Sequence, residues 1–177
     1  MFGDRDYDEV SVDEVAEAAG VSHGLVFQYF GTKRDLYVAA MAPVIERFRW
    51  QIAPDLSLPP EERLESAIRT WAQLMSEHPR GYRSLMTRGI GFKEIRDELE
   101  RMHAGAVERI SSQMGVDPAR PEVQVGLRAW IAFMETSMLS WLDTGGPDLD
   151  VLIEIISAAF FSTAGAIVET VEREPAG

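Results

Sequence analysis

The chain has 177 residues, of which 46% are hydrophobic and 26% charged, an ordinary globular balance with enough length to bury a core. It contains no cysteine, which excludes disulfides and thiolate chemistry, and its three histidines show no zinc-ligand spacing. A net charge of −12 argues against non-specific nucleic-acid binding, and the acidic start MFGDRDYDEV lacks the apolar core of a secretion signal, so a cytoplasmic location is expected.

The first legible element lies at Ser11–Ala19. Ser11 and Glu14 stand three apart, as a capping box requires, and Val10 and Val15 flank them as a hydrophobic staple. Gly20 ends this helix because the turn needs a left-handed backbone. Ser22 caps a second helix, with Val21 and Val26 placed as its staple, and Thr32 caps a third with Asp35 at the third position. Ala16 is small where two steeply crossing helices need room. Val15, Ala19, Val21, Val26 and Phe30 are the apolar positions expected to close a miniature core. Two short capped helices and a tight turn form the layout of a DNA-reading helix-turn-helix.

Charge placement supports that reading. From Ala18 to Arg34 there is no acidic residue, although 29 of the 177 residues are acidic. His23, Gly24 and Phe27 turn outward near the start of the second helix, where a recognition helix meets base edges. His23 can donate to guanine or accept through its free nitrogen; Phe27 offers apolar contact to a thymine methyl, or else packs as a partly buried aromatic. Ser22, Leu25, Gln28 and Tyr29 flank this face.

Beyond Thr32 the pattern is helical throughout. Helices are expected near 33–52, 60–77, 80–90, 93–114, 121–143 and 148–172, with breaks at Pro54, 58–60, 78–81, 88–91, 115–121 and 144–147. Pro43 predicts a kink within the first of these. In 121–143, Val123, Leu127, Trp130, Met134, Met138 and Trp141 form one stripe, and Ile131, Phe133, Leu139 and Leu142 widen it beyond a single face. The helix 148–172 is apolar almost all round. Two such elements must each bury two faces, one in the chain's own core and one against a second copy. The stretch 151–168 has the length of a membrane span, but Glu154 lies inside it and no basic flank sets an orientation, so no membrane is expected.

No catalytic motif or phosphate-binding glycine loop appears, so an enzyme is not expected and no cofactor is implied. His78 is expected to cap a helix C-terminus. Glu135 sits among Trp130, Met134 and Met138 and needs a partner if buried, with Arg83, Arg88 or Arg128 available. Trp71, Met75, Tyr82, Met86, Phe92, Leu99, Met102, His103, Trp130 and Met134 suit an apolar cavity for a hydrophobic small molecule. The same residues at helical spacing also suit a plain core.

The run LVFQYFGTKRDLY is the most selective motif: an aromatic-x-Tyr-Phe run, two spacers, a lysine, and a leucine three further on. Together with VAEAAGVS before it, it resembles the tetracycline-repressor (TetR) family over residues 2–41. The segments EHPRGYRSLM and GLRAWIAFMETSMLSWLD resemble that family more loosely, in the family's order.

The resemblance implies an all-α protein with two domains. A helix-turn-helix DNA-binding domain would occupy 1–41, and a helical effector-binding and dimerisation domain 42–177. It implies phosphate contacts by Ser22, Gln28, Tyr29 and Lys33, a homodimer through 121–143 and 148–172, and a palindromic double-stranded operator. The expected function is a ligand-responsive repressor, in which an effector tilts the linker helix starting at Lys33. His23 and Leu25 depart from the Arg or Lys and the Thr or Ser frequent at those positions. The start of the chain matches the end of the family's first helix, so a head truncated at its N-terminus is expected. That head carries Arg5, Lys33 and Arg34 against eight carboxylates, a net −5 over residues 1–41. The competing reading is a helical dimer that binds a small molecule or a partner and does not bind DNA in this form.

Overall fold

The computed structural model describes residues 1–51, 55 and 57–173; the break expected at Pro54 lies outside them. Eight α-helices and no strand occur among the described residues: α1 Val12–Ala19, α2 His23–Phe30, α3 Lys33–Gln51, α4 Pro60–Glu77, α5 Pro79–Thr87, α6 Lys93–Met114, α7 Pro121–Thr144 and α8 Leu149–Arg173. The all-α class expected from the sequence is what the chain adopts. The expected helix 80–90 divides, because α5 stops at Thr87 and a short 3-10 turn follows at Gly89–Gly91. Two glycines around Ile90 supply too little helix propensity to carry α5 further.

The chain forms two compact units, Met1–Ile52 with Gln73–Glu100, and Ala53–Ala72 with Arg101–Gly177. The division falls inside α4 and inside α6.

In the first unit the capping chemistry is in place. The Glu14 amide donates to Ser11 Oγ at 3.1 Å, and the Ser11 amide donates to the Glu14 carboxylate at 2.8 Å. Arg5 donates to the same carboxylate at 2.8 Å. These bonds, the arginine's first, hold the Glu14 carboxyl down at about 2. Gly20 takes φ 68°, and the Val21 amide returns to the Ala16 carbonyl at 3.0 Å, closing α1 with a left-handed cap. Ala16 is buried where α1 meets α2, as the crossing requires.

The residues before α1 are fastened to α5. The Gly81 amide donates to the Gly3 carbonyl at 3.0 Å, and the Tyr7 amide to Ser84 Oγ at 3.0 Å. Asp4 accepts from the His78 ring at 3.0 Å, and that bond holds the Asp4 carboxyl below its usual range. His78 therefore does not cap the end of α4 through its side chain; it stands between α4 and α5 with its ring committed to Asp4. Around this seam Phe2, Tyr7, Tyr37 and Phe92 form an aromatic cluster, with Tyr37 fully buried and edge-on to the other three at 5.1 to 5.7 Å. Arg80 donates to Glu9 and Arg88 to Asp8 on the outside of the same seam.

In the second unit α7 and α8 pack along one another. Val123, Leu127, Trp130, Ile131 and Met138 of α7 and Leu152, Ile153, Ile156 and Ile167 of α8 are buried. The buried Trp130 indole donates to the Ile156 carbonyl at 3.1 Å, and its ring stands against Phe160 at 4.9 Å. Glu135 is mostly buried, and His103 of α6 takes the place proposed for an arginine, with Nε2 2.8 Å from the carboxylate. α6 offers an imidazole at the height of Glu135, which a reading of single helices does not reveal.

A β-carbon placed on Gly81 would lie 2.5 Å from the Gly3 carbonyl oxygen and 2.6 Å from its α-carbon, both backbone atoms that cannot step aside. Gly81→Ala is therefore expected to lower stability by about 1–3 kcal/mol and to free the residues before α1. Thermal unfolding and hydrogen exchange at the Gly81 and Tyr7 amides check this. An unchanged melting temperature with both amides still protected would show that the seam is not a stabilising contact.

Candidate nucleic-acid interface

α2 begins cleanly. Ser22 Oγ accepts from the Leu25 amide at 3.2 Å, and Gly31, at φ 74°, ends the helix with its amide on the Phe27 carbonyl. Of its eight residues only Val26 is buried. His23, Gly24, Leu25, Phe27, Gln28 and Tyr29 are exposed, Tyr29 at 77%, and nothing lies within 4 Å of a β-carbon placed on Gly24. The face carries no Asp, Glu, Lys or Arg, and it is open enough to enter a groove.

Phe30 does not turn inward as expected: it is 38% exposed, as is Val21, and Ala19 is also exposed. The core of this head is built from Val26, buried as expected, together with Val10, Ala16, Leu36 and Tyr37. Periodicity identifies the apolar face, but among the described residues no element covers its Ala19 and Phe30 side. Part of the open surface lines a cavity of about 580 Å³, walled by Val15, Ala18, Ala19, Leu36, Met41, Met75, Tyr82 and Leu85.

The cations of the head are engaged. Arg5 is on Glu14, and Arg34 donates to Glu94 at 2.5 Å while lying over the Phe92 ring. Lys33 lies 3.4 Å from the Asp8 carbonyl and 4.5 Å above the Tyr7 ring. The sequence reading assigned Lys33 to phosphate without these partners. The acidic run before α1 is itself paired far along the chain, Asp8 with Arg88 and Glu9 with Arg80.

The ten residues proposed for an effector cavity are divided between the units. Met75, Tyr82, Met86, Phe92 and Leu99 belong to the first, where Met75 and Tyr82 line the cavity above and Phe92 joins the aromatic cluster. Trp71, Met102, His103, Trp130 and Met134 belong to the second, where His103 pairs at 2.8 Å with the mostly buried Glu135. Among the described residues no group of three His, Cys, Asp or Glu gathers as a metal site.

Comparison with known proteins agrees with this architecture. Residues 1–40 match the family described as bacterial regulatory proteins, tetR family, and residues 60–163 match the tetracyclin repressor-like C-terminal domain. The chain belongs to the TetR family. The HTH-type transcriptional activator FasR of Mycolicibacterium smegmatis is 25% identical over 163 residues, covering 87% of this chain and 73% of that protein. A TetR-family transcriptional regulator from Streptomyces coelicolor matches with a TM-score of 0.80 at 28% identity, over 97% of this chain and 83% of that one. The regulator FadR of Bacillus subtilis, solved in complex with stearoyl-CoA, shares the fold with a TM-score of 0.60 at 16% identity, over 89% of each chain. This TetR-family chain is thus a transcriptional regulator with a DNA-binding helix-turn-helix.

Sequence selection from a random pool tests the assigned face. Phe27→Ala is expected to relax the preference at one base pair by about 1–3 kcal/mol, whereas Lys33→Ala weakens all sequences alike and lowers the salt slope by about one. An unchanged selected sequence for Phe27→Ala would remove Phe27 from the base-reading set.

Proposed function

We propose that this regulator acts as a homodimer on a palindromic operator, under the control of a hydrophobic small molecule held by its C-terminal helices, and that it works in the cytoplasm as a repressor. The observation that carries this reading is the exposed face of α2, free of Asp, Glu, Lys and Arg, on a fully capped helix-turn-helix. Ser22, His23, Gly24, Leu25, Phe27, Gln28 and Tyr29 form the reading surface, with Lys33 beside it on α3. A two-fold dimer carries two such faces, so half-sites should lie about one helical turn (~34 Å) or more apart.

The apolar surface of the second unit supports the dimer. Val125, Phe133, Val151, Ile155 and Phe161 on α7 and α8 are exposed, Val125 at 71%. α8 is long and apolar enough to cross a membrane by length and composition alone. Its bonding to α7 through Trp130, and the matching apolar exposure on α7, favour a second copy as its cover. Phe161→Asp touches this surface without striking the Trp130 contact, which belongs to Phe160. Light scattering should show dimer for the native chain and monomer for Phe161→Asp; a soluble native monomer would overturn the dimer.

Trp71, Met102, Trp130 and Met134, with the His103–Glu135 pair as a polar group among them, support a mainly hydrophobic effector. The Bacillus subtilis neighbour's stearoyl-CoA complex favours a long acyl chain as the first probe. The chain's acidity favours an uncharged compound over an anionic one. The sign of regulation follows from where the operator lies relative to the promoter, since one DNA-bound dimer can block or assist a polymerase. FasR is named an activator, so a reporter carrying the selected operator is the assay that decides.

The engaged cations and the −5 charge of the head favour a second reading, a dimeric small-molecule-binding protein that does not bind DNA in this form. Gel shift on the selected palindrome separates the two. Binding that the chain loses when an apolar acyl compound quenches its tryptophan fluorescence supports the first. Quenching without any DNA binding supports the second, and neither signal would overturn both.

A further inference from the structure

His23 opens α2, and its ring is held on two sides. It stands edge-on to Phe27, with centroids 4.5 Å apart at 83°. Its Nδ1 lies 3.5 Å from Asp13 Oδ1 on α1, an ion-pair distance rather than a short hydrogen bond. The ring remains half exposed, so Nε2, on the far side of the imidazole, is available to a ligand.

A neutral imidazole carries one proton, and its place is set by what the other nitrogen meets. A carboxylate beside Nδ1 favours the proton there, which leaves Nε2 with a lone pair. We propose that Asp13 is a positioning residue that fixes His23 as a hydrogen-bond acceptor at the reading face. In the major groove an acceptor pairs with the amino groups of adenine and cytosine, and finds no donor on guanine O6 and N7 or thymine O4. The operator therefore carries adenine or cytosine at the base His23 faces. Arginine or lysine at this position, as donors, selects guanine instead. Phe27 limits the swing of the ring, so the two side chains read adjacent positions as one rigid pair. This inference rests on the proposed DNA-reading role of α2.

Two measurements on the full chain test it. Long-range proton–nitrogen spectra of the nitrogen-15-labelled protein report the tautomer without DNA, the His23 signals being identified by their loss in His23→Gln. The expected ring has a protonated Nδ1 and an unprotonated Nε2, and Asp13→Ala should move the proton to Nε2. A wild-type ring protonated on Nε2, or on both nitrogens, would overturn the proposal.

Selection from a random pool supplies the second readout. Wild type should enrich adenine or cytosine at one symmetric position, and Asp13→Ala should cut that preference about fivefold or more, the low end of what one base-edge pairing discriminates. Loss of a carboxylate that merely repels phosphate would instead raise affinity for all sequences and leave that position unchanged, which would also overturn it. A chain that selects no sequence while showing the Nδ1-protonated ring would fail the DNA-reading role itself. The base assignment would fall with it, and Asp13 would remain only as an orienting contact of the free protein.

Discussion

The helix-turn-helix is anchored through a backbone-to-backbone approach at Gly81. The chain before α1 can lie against α5 only because that residue has no side chain, and the Gly3 carbonyl occupies the space where one would be. From this approach the other contacts follow in register. Tyr7 reaches Ser84, Asp4 reaches His78, and Phe2 and Tyr7 enter the aromatic cluster with Tyr37 and Phe92. Tyr37 sits one turn into α3, which follows α2 directly. The packing of α2 is thereby tied to α5 and to the beginning of α6 within one compact unit.

That anchoring has an electrostatic consequence. The acidic run before α1 pairs its carboxylates with Arg80 and Arg88, while Lys33 lies on the Asp8 carbonyl and Arg5 on Glu14 of α1. A lysine already placed over Tyr7 and beside the Asp8 carbonyl would have to exchange those contacts to meet the proposed phosphate, so its net contribution to affinity would be smaller than that of a free cation. Discrimination would then fall to the proposed base contacts, Phe27 and the acceptor nitrogen proposed for His23. Such a head gains little from phosphate charge and depends more on base contacts, so its specific binding should be less salt-sensitive than that of a basic head.

Local chemistry was legible in the sequence because it is written within a few residues. The Ser11–Glu14 box, the Ser22 cap, the left-handed Gly20 and the small Ala16 all stand as their spacing implied, and most helix ends fall within a residue or two of the expected breaks. Tertiary pairing was less legible. Glu135 needed a partner, and the sequence offered arginines, but the fold brings His103 across from α6. Phe30 and Val21 lie on an apolar face, yet periodicity cannot say whether anything covers that face. The proposed cavity residues fell into two units because the division runs inside α4 and α6. A stripe along one helix records which side is apolar, not that its two ends serve different cores.

The same limit bears on α7 and α8, where apolar residues exceed what one core can hold. Trp130 shows how the inner side is spent: its ring is buried, its indole N–H is satisfied by the Ile156 carbonyl, and Phe160 closes over it. An indole bonded to a helix carbonyl fixes the rotation of α7 against α8 as well as their separation. With that rotation fixed, Val125 and Phe133 on one helix and Val151, Ile155 and Phe161 on the other are committed to the outer surface, and rolling either helix cannot bury them without leaving Trp130 unsatisfied. The proposed second copy would cover them with the same residues in reverse, one surface serving as both halves of the contact. The bond that completes the inner core is thus also what leaves this apolar face for the proposed dimer.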